Sequence, residues 1–86
     1  MDINELIAIV KKKLEDNIDT TKIIIEDKSF LHKNHPGNQK NKFHIKINIW
    51  SEELKKMSKI DSNKKIYKLM NKELQNNIHS IQILIF

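Results

Sequence analysis

Histidines are the residues of this chain best suited to hold a metal. There are four of them: His32, His35, His44 and His79. Neutral imidazole is the commonest protein nitrogen ligand, and histidine can replace cysteine at one iron of a 2Fe–2S cluster. The chain has no cysteine, and two histidines alone do not complete a tetrahedral site of four ligands. We therefore expect a metal site only where a partner supplies thiolates, and no cofactor on the chain alone.

Lysines form a second candidate site. Four of them gather on one side of a predicted helix: Lys64, Lys65, Lys68 and Lys72. Such a face can contact nucleic-acid phosphates, which the net charge of +5 permits. The alternative is an ordinary solvated helix face, because lysine without arginine, alongside abundant Ile and Asn, indicates the codon bias of an AT-rich genome. Without arginine there is no bidentate fork for guanine, so contacts to DNA would be mostly nonspecific.

Catalysis is not expected from these side chains. Ser29 and His32 form a short-range pair in a loop, with no orienting acid or oxyanion hole evident. The neighbouring acids Glu52 and Glu53 point to different faces and cannot share a substrate. The sequence therefore favours a binding protein over an enzyme.

The length of 86 residues limits the chain to a single domain over 1–86. A chain of this size has one hydrophobic core and little room for a deep cleft. No apolar run approaches the ~20 residues of a membrane span, and the acidic N-terminal helix is unlike a signal peptide. We expect a cytoplasmic monomer that does not bind membranes, or an organellar protein if a targeting segment is missing from this sequence.

Hydrophobic periodicity predicts the elements that position these residues. An apolar stripe at helical spacing predicts a helix over 2–16, in which Asp2 and Glu5 resemble a capping box. Lys22–Asp27 is predicted to be a strand because of three consecutive isoleucines at its centre. The polar stretch 28–42 follows, longer than the ~4–6 residues typical of connections, and contains the only Pro and the only Gly. Its length invites a functional interpretation.

The second half of the chain predicts another strand, two helices and a final strand. Phe43–Trp50 alternates, with Ile45, Ile47 and Ile49 opposite His44, Lys46 and Asn48. Ser51 is predicted to cap a short helix. Asp61 or Ser62 is predicted to cap a longer one that runs to about Asn76, with Tyr67 on its apolar face. Residues 78–86 are predicted to form the final strand.

The predicted order is αββααβ, an α+β sandwich. The two helices between the second and third strands are long enough for a parallel right-handed crossover. We therefore expect a three-stranded mixed sheet with helices on one face and the other face largely open.

Several stretches of the chain resemble motifs of the BolA family. Residues 27–37 read D-K-S-F-L-H-K-N-H-P-G and resemble its D-E-S-x-x-H-x-x-H-x-G loop. Residues 44–51 read H-I-K-I-N-I-W-S and resemble its H-F-x-V-x-x-V-S strand. Ile-Tyr at 66–67, Glu-Leu at 73–74 and Ile-His-Ser at 78–80 resemble its V-Y, E-L and V-H-A ending. The resemblance implies a fold similar to class II KH domains.

The resemblance also implies a partner and a cofactor. BolA proteins pair with monothiol glutaredoxins around a bridging 2Fe–2S cluster, held by the glutaredoxin Cys, a glutathione Cys, the BolA C-terminal His and often a loop His or Cys. Carried onto this sequence, His79 is the C-terminal ligand and His35 is the loop ligand, with His32 as the alternative. The ordinary alternatives are a structural His79 at a strand edge and a solvated loop histidine. His44 is predicted to be a sheet-surface residue, although its family counterpart lies near the site.

One region departs from the family pattern. The family carries F-x-G and then R-H-R before its long helix, in residues linked with DNA contact and partner docking. Here the basic triplet becomes Ser62, Asn63 and Lys64, and the glycine is missing. KH-type RNA binding is not expected, because it needs a GxxG loop and the only glycine, Gly37, lies in another loop.

Two hypotheses remain. The first is an adaptor that pairs with a monothiol glutaredoxin in iron–sulfur cluster trafficking or iron signalling. The second is a small DNA-binding transcriptional regulator that uses the basic face of the third helix.

Overall fold

The computed structural model describes residues 2–29 and 42–86. The described elements, in chain order, are α1 (Ile3–Asn17), β1 (Lys22–Asp27), β2 (Phe43–Trp50), α2 (Glu52–Lys55), α3 (Lys59–Leu69), α4 (Asn71–Asn76) and β3 (Ile78–Ile85). The central strand β2 pairs antiparallel with β1 and parallel with β3. This architecture confirms the predicted mixed three-stranded sheet of an α+β fold. No helix in the described ranges is long and apolar enough to cross a membrane.

The core lies between the sheet and the helices. Helix α1 buries Leu6, Val10 and Leu14, which recur every four residues and so share one face of the helix. Alternate positions of β2 bury a second row, formed by Ile45, Ile47 and Ile49. Leu54, Ile66 and Met70 close the core from the later helices. Burial of each large aliphatic side chain contributes about 1.5–3 kcal/mol, and this packing holds the sheet that carries the histidines.

The start of α3 differs from the prediction. Its cap is Ser58, whose Oγ accepts a hydrogen bond from the backbone N–H of Asp61 at 3.0 Å. The predicted caps Asp61 and Ser62 both lie inside the helix. Ser62 is buried, and its hydroxyl donates to the carbonyl of Lys59 at 3.0 Å. The pattern Ser-x-x-Asp at 58–61 was the missed start signal, with an acid in the first turn to suit the helix dipole.

The predicted single helix is also interrupted. Met70, with φ −94° and ψ 8°, separates α3 from α4 while its side chain is fully buried. Core packing of Met70 therefore coincides with the break. Tyr67, predicted to pack on the apolar face, is 41% exposed.

The sheet face away from the helices is less open than predicted. Asn48 is buried there, and its Nδ2 donates to Glu26 Oε2 at 2.8 Å and to the carbonyl of Ile24 at 3.2 Å. The ring of Trp50 stacks on that of Phe86 with centroids 4.6 Å apart. These side chains cover part of the outer face themselves.

Candidate metal and partner site

An irregularity in β3 positions His79. Ile78 pairs with Phe43, and the next pair along the strands is Ser80 with His44, so His79 is an extra residue between them. Such a β-bulge shifts the alternation of the strand by one residue. Ile78 and Ile81 are three positions apart, so a regular strand would place them on opposite faces of the sheet. The bulge lets both side chains pack in or against the core. This odd spacing was the sequence signal that could have revealed the bulge, because regular strands bury every second residue.

The bulge brings two imidazoles together. Nδ1 of His79 lies 3.2 Å from Nε2 of His44, and the rings meet edge to face with centroids 4.7 Å apart. Nδ1 of His44 lies 2.6 Å from Oγ of Ser80. His79 is exposed, whereas His44 is only 4% exposed. The prediction that His44 is a surface residue is therefore wrong, since the ring packs beneath His79 and beside Ser80.

The backbone around His44 is held from the end of β1. Its N–H donates to Oγ of Ser29 at 3.1 Å, and its carbonyl accepts from the N–H of Lys28 at 2.7 Å. Asp27 Oδ1 accepts from the N–H of Ser29 at 2.9 Å, which orients the serine. The hydroxyl of Ser29 thus serves to position His44.

Two lysines near His44 pair with a carboxylate of β1. Nζ of Lys28 and Nζ of Lys46 lie 3.2 and 3.9 Å from oxygens of Glu26. The hydrogen bond from Asn48, followed by that from Lys28, lowers the pKa of Glu26, so its carboxylate stays ionised. A cavity of about 340 Å³ lies beside His44 and is lined in part by Lys28, His44 and Lys46. The two ammonium groups share the Glu26 carboxylate, and Asp27 provides a second carboxylate at the same end of β1.

The donor set fits one ligand of a shared metal site. Within 2–29 and 42–86, no three His, Asp or Glu side chains gather where they could hold a metal ion. His79 instead offers one accessible imidazole supported by a buried one, which suits a single terminal ligand to iron. His35 and His32 lie outside the described residues, so the loop ligand remains a prediction.

The four lysines of the second candidate site do not form one continuous helical face. Lys64, Lys65 and Lys68 lie on α3, whereas Lys72 follows the interruption and lies on α4. Nζ of Lys65 donates to Glu53 Oε2. That hydrogen bond, and a second from the N–H of Asp19, lower the pKa of Glu53. Lys64, Lys68 and Lys72 are exposed, so they are the members of the set best placed to meet phosphates.

The fold and the residue pattern together define a BolA-like domain. A family model described as BolA-like protein matches residues 14–86. The chain therefore belongs to the BolA family.

Two curated relatives share this sequence pattern. The DNA-binding transcriptional regulator BolA of Haemophilus influenzae is 30% identical over 78 residues, which cover 91% of this chain and 73% of the relative. Protein BOLA1, chloroplastic, of Arabidopsis thaliana is 25% identical over 77 residues, which cover 86% of this chain. Those residues span 48% of the plant protein, about half its length.

Solved structures show the same fold. The BolA domain of SufE1 from Arabidopsis thaliana is 25% identical, with a TM-score of 0.78 over 99% of this chain and 92% of that one. BolA1 from the same plant is 23% identical, with a TM-score of 0.75 over 91% of this chain and 86% of that one. A bol-like protein from Babesia bovis is 14% identical, with a TM-score of 0.71 over 92% of this chain and 80% of that one. The last two show likeness of fold alone.

Proposed function

We propose that this chain is an adaptor that docks a monothiol glutaredoxin and supplies His79 to a bridging 2Fe–2S cluster. The glutaredoxin and glutathione provide the thiolates, and the complex serves iron–sulfur cluster trafficking or iron signalling. The observation that carries the proposal is the exposed imidazole of His79, set in a β-bulge against the buried ring of His44. Membership of the BolA family supports it.

Two lysines beside His44 suit such a partner. Lys28 and Lys46 line the cavity next to His44, where their ammonium groups can pair with the carboxylates of glutathione. When bound, the cluster supplies redox and transfer chemistry, and the chain contributes binding and orientation. A loop histidine, His35 or alternatively His32, would be its second ligand.

The test is visible absorption and circular dichroism of the chain purified anaerobically with a monothiol glutaredoxin and glutathione. We expect a heterodimer spectrum distinct from that of the glutaredoxin's own cluster, lost in His79→Ala. Gln75→Ala is the control, because Gln75 is an exposed residue of α4 and is not among the residues that line the cavity beside His44. The proposal fails if no complex forms, or if the His79→Ala spectrum equals that of the unmodified chain. His35→Ala and His32→Ala then separate the two loop candidates.

A DNA-binding role is the second candidate, supported by the name of the Haemophilus influenzae relative. Joint substitution of Lys64, Lys65 and Lys68 by Gln should weaken binding of a DNA duplex measured by fluorescence anisotropy. The slope of the logarithm of the binding constant against the logarithm of the salt concentration should also become less steep. The expected change is about 0.9 for each phosphate that the variant no longer neutralises. Lys11→Gln with Lys12→Gln, on exposed positions of α1, is the control. Unchanged affinity in the α3 variant would exclude this surface.

A further inference from the structure

One edge of the sheet is open along β3. Of the described strands, β3 is paired only with β2, so its other side faces no strand. The N–H of Phe86 donates to the carbonyl of Ile49 at 2.8 Å, and the carbonyl of Phe86 accepts from the N–H of Ser51 at 3.1 Å. Backbone groups of successive residues point to opposite sides of a strand. The N–H and C=O groups of Ile83 and Ile85 therefore point away from β2, toward the open side.

The β3 edge lacks the charges that usually protect such a strand. Residues 77–86 read N-I-H-S-I-Q-I-L-I-F and contain no Asp, Glu, Lys or Arg. The opposite edge strand, β1, contains Lys22, Glu26 and Asp27. Natural proteins use charged residues to keep edge strands from pairing with other chains, and an apolar edge without them is a template for a further strand. Strand addition is therefore favoured at β3 rather than at β1.

A groove lies against this part of β3, between the strand and the turn from α2 to α3. Its volume is about 410 Å³. Leu54 and Met57 line it from the helical side, and Ile83 and Ile85 line it from the strand. The open edge offers backbone hydrogen bonds, and the groove beside it offers an apolar pocket. These are the two elements by which proteins bind an extended peptide through strand addition.

Two lysines give the groove its charge. Among the described residues that line it, the charged side chains are Lys55 and Lys59, and both are exposed. Nζ of Lys55 lies 3.6 Å from Oε1 of Glu52, but this pair is on the surface and contributes little. Asp61 follows Lys59 by two positions, a spacing that does not place side chains together on a helix, and it does not line the groove. The groove therefore suits an occupant with acidic residues beside apolar ones.

We propose that this groove and the edge of β3 bind an extended segment of a partner protein, in which apolar residues at alternate positions are flanked by Asp or Glu. The segment pairs with β3 as a further strand of the sheet. Its apolar side chains enter the groove, and its carboxylates lie beside Lys55 and Lys59. This inference goes beyond the proposed function, because it concerns the C-terminal half of β3 and does not involve His79.

Two other occupants fit the groove less well. Single-stranded nucleic acids bind through bases stacked on aromatic side chains, and the described residues that line the groove include no aromatic. The turn that joins α2 and α3 also has no glycine to let a nucleic-acid backbone approach closely. A second copy of this chain would offer its own β3, which has no acid to meet Lys55 and Lys59. Charge complementarity thus favours a partner with an acidic segment.

The probe is a fluorescein-labelled peptide of sequence T-E-T-V-T-V-T-E-T, and its matched control has Lys in place of both Glu. We expect the acidic peptide to bind the chain in fluorescence anisotropy and the basic peptide not to bind. Lys55→Gln with Lys59→Gln should weaken binding about 2- to 30-fold, the range for two exposed ion pairs. Lys56→Gln with Lys64→Gln makes the same change of charge at exposed positions that do not line the groove, so binding should change little.

Amide hydrogen exchange followed by NMR tests the pairing of the strands. In the free chain, the outward-facing amides of Ile83 and Ile85 should exchange faster than those of Leu84 and Phe86, which point toward β2. Saturation with the acidic peptide should slow exchange at Ile83 and Ile85 and change it far less at Leu84 and Phe86. The latter two amides are therefore an internal control.

The other outcomes overturn the inference. No binding of the acidic peptide at its highest soluble concentration, or equal binding of the basic peptide, excludes an acidic segment as the occupant. Binding without slower exchange at Ile83 and Ile85 places the peptide elsewhere. An oligothymidine that slows these two amides more strongly, and depends equally on Lys55 and Lys59, would make the groove a nucleic-acid site.

Self-association is the last outcome that would overturn the inference. If Ile83 and Ile85 exchange slowly without peptide, and sedimentation shows the mass of a dimer, a second copy covers the edge. These measurements use the chain alone, without glutaredoxin or cluster. Their failure would therefore leave the proposed role of His79 untouched, and loss of the cluster in His79→Ala would not bear on the groove.

Discussion

Nζ of Lys13 on α1 lies 2.7 and 2.8 Å from the two carboxylate oxygens of Glu73 on α4, sixty residues further along the chain. The Glu73 side chain is 6% exposed and that of Lys13 is 35% exposed. A buried carboxylate is costly unless it is paired. The bridge therefore ties the first helix to the helix that leads into β3, the strand of His79.

Removal of the lysine should destabilise the fold more than neutralisation of the acid. Lys13→Met leaves the buried carboxylate without its cation, and we expect a loss of about 1–3 kcal/mol, below the value for a fully buried pair because Lys13 is partly exposed. Glu73→Gln removes the charge and should cost about 1 kcal/mol or less. Urea unfolding measures both.

Lys12→Met is the matched control for this comparison. Lys12 lies one residue earlier on α1 and pairs with Asp16 at 3.6 Å, but its side chain is 80% exposed. We expect little change in its free energy of unfolding. Equal losses for Lys12→Met and Lys13→Met would show that the bridge to Glu73 contributes nothing.

The two serine caps should differ in strength. Oγ of Ser51 accepts from the N–H of Leu54 at 3.1 Å and donates to the carbonyl of Asp19 at 2.7 Å. Among the residues that the structure describes, the Ser58 side chain makes only the cap contact to Asp61. Ser58→Ala should cost about 1 kcal/mol. Ser51→Ala should cost about 2 kcal/mol, because it loses a second hydrogen bond as well.

Thermal or urea unfolding of these variants measures the free energy of unfolding that each cap contributes. Ser58→Asp keeps a capping oxygen and should retain most of the stability that Ser58→Ala loses. The structural assignment is contradicted if Ser58→Ala is neutral, or if Ser51→Ala costs no more than Ser58→Ala.

Two acids should make stability depend on pH in the acidic range. The hydrogen bond from Asn48 lowers the pKa of Glu26 below 4.5, and the one from Lys65 does the same for Glu53. A carboxyl whose folded pKa is depressed stabilises the fold above its unfolded pKa. That contribution is lost as the pH falls through the folded value. Glu26→Gln and Glu53→Gln should therefore be less stable than the unmodified chain at neutral pH, and the difference should shrink below about pH 4.5.

Denaturation midpoints between about pH 7 and pH 3 test this expectation. Glu52→Gln is the control, since the Glu52 side chain is 77% exposed and adjoins Glu53. Curves for Glu26→Gln that run parallel to the unmodified chain across the range would show that the contact with Asn48 does not couple to protonation.

Local patterns predicted much of this fold, and the differences have physical causes. Strict alternation in β2 predicted which isoleucines enter the core, since a strand has only two faces. Burial of His44 depends on Ser80 and His79, which lie more than thirty positions away in sequence. The alternation of residues within β2 does not indicate contacts with residues so distant in sequence. The family resemblance indicated His79 without indicating its support by His44.

The cap of α3 was missed for a different reason. Ser58, Asp61 and Ser62 are all acceptable caps by residue type, so composition alone does not choose among them. The choice follows from burial, because the packed position of Ser62 leaves Ser58 as the residue at the start of the helix.

The parallel pairing of β2 with β3 has a kinetic consequence. Two strands that pair in parallel must be joined by a long crossover, here the segment with the three later helices, and such long-range pairing is intrinsically slow because chain entropy is lost before the contacts form. His79 reaches His44 across 35 positions of sequence as part of this closure. A nascent or partly folded chain therefore offers only a solvated histidine at residue 79. The oriented imidazole exists once folding is complete, so a partner that requires it distinguishes finished molecules from unfinished ones.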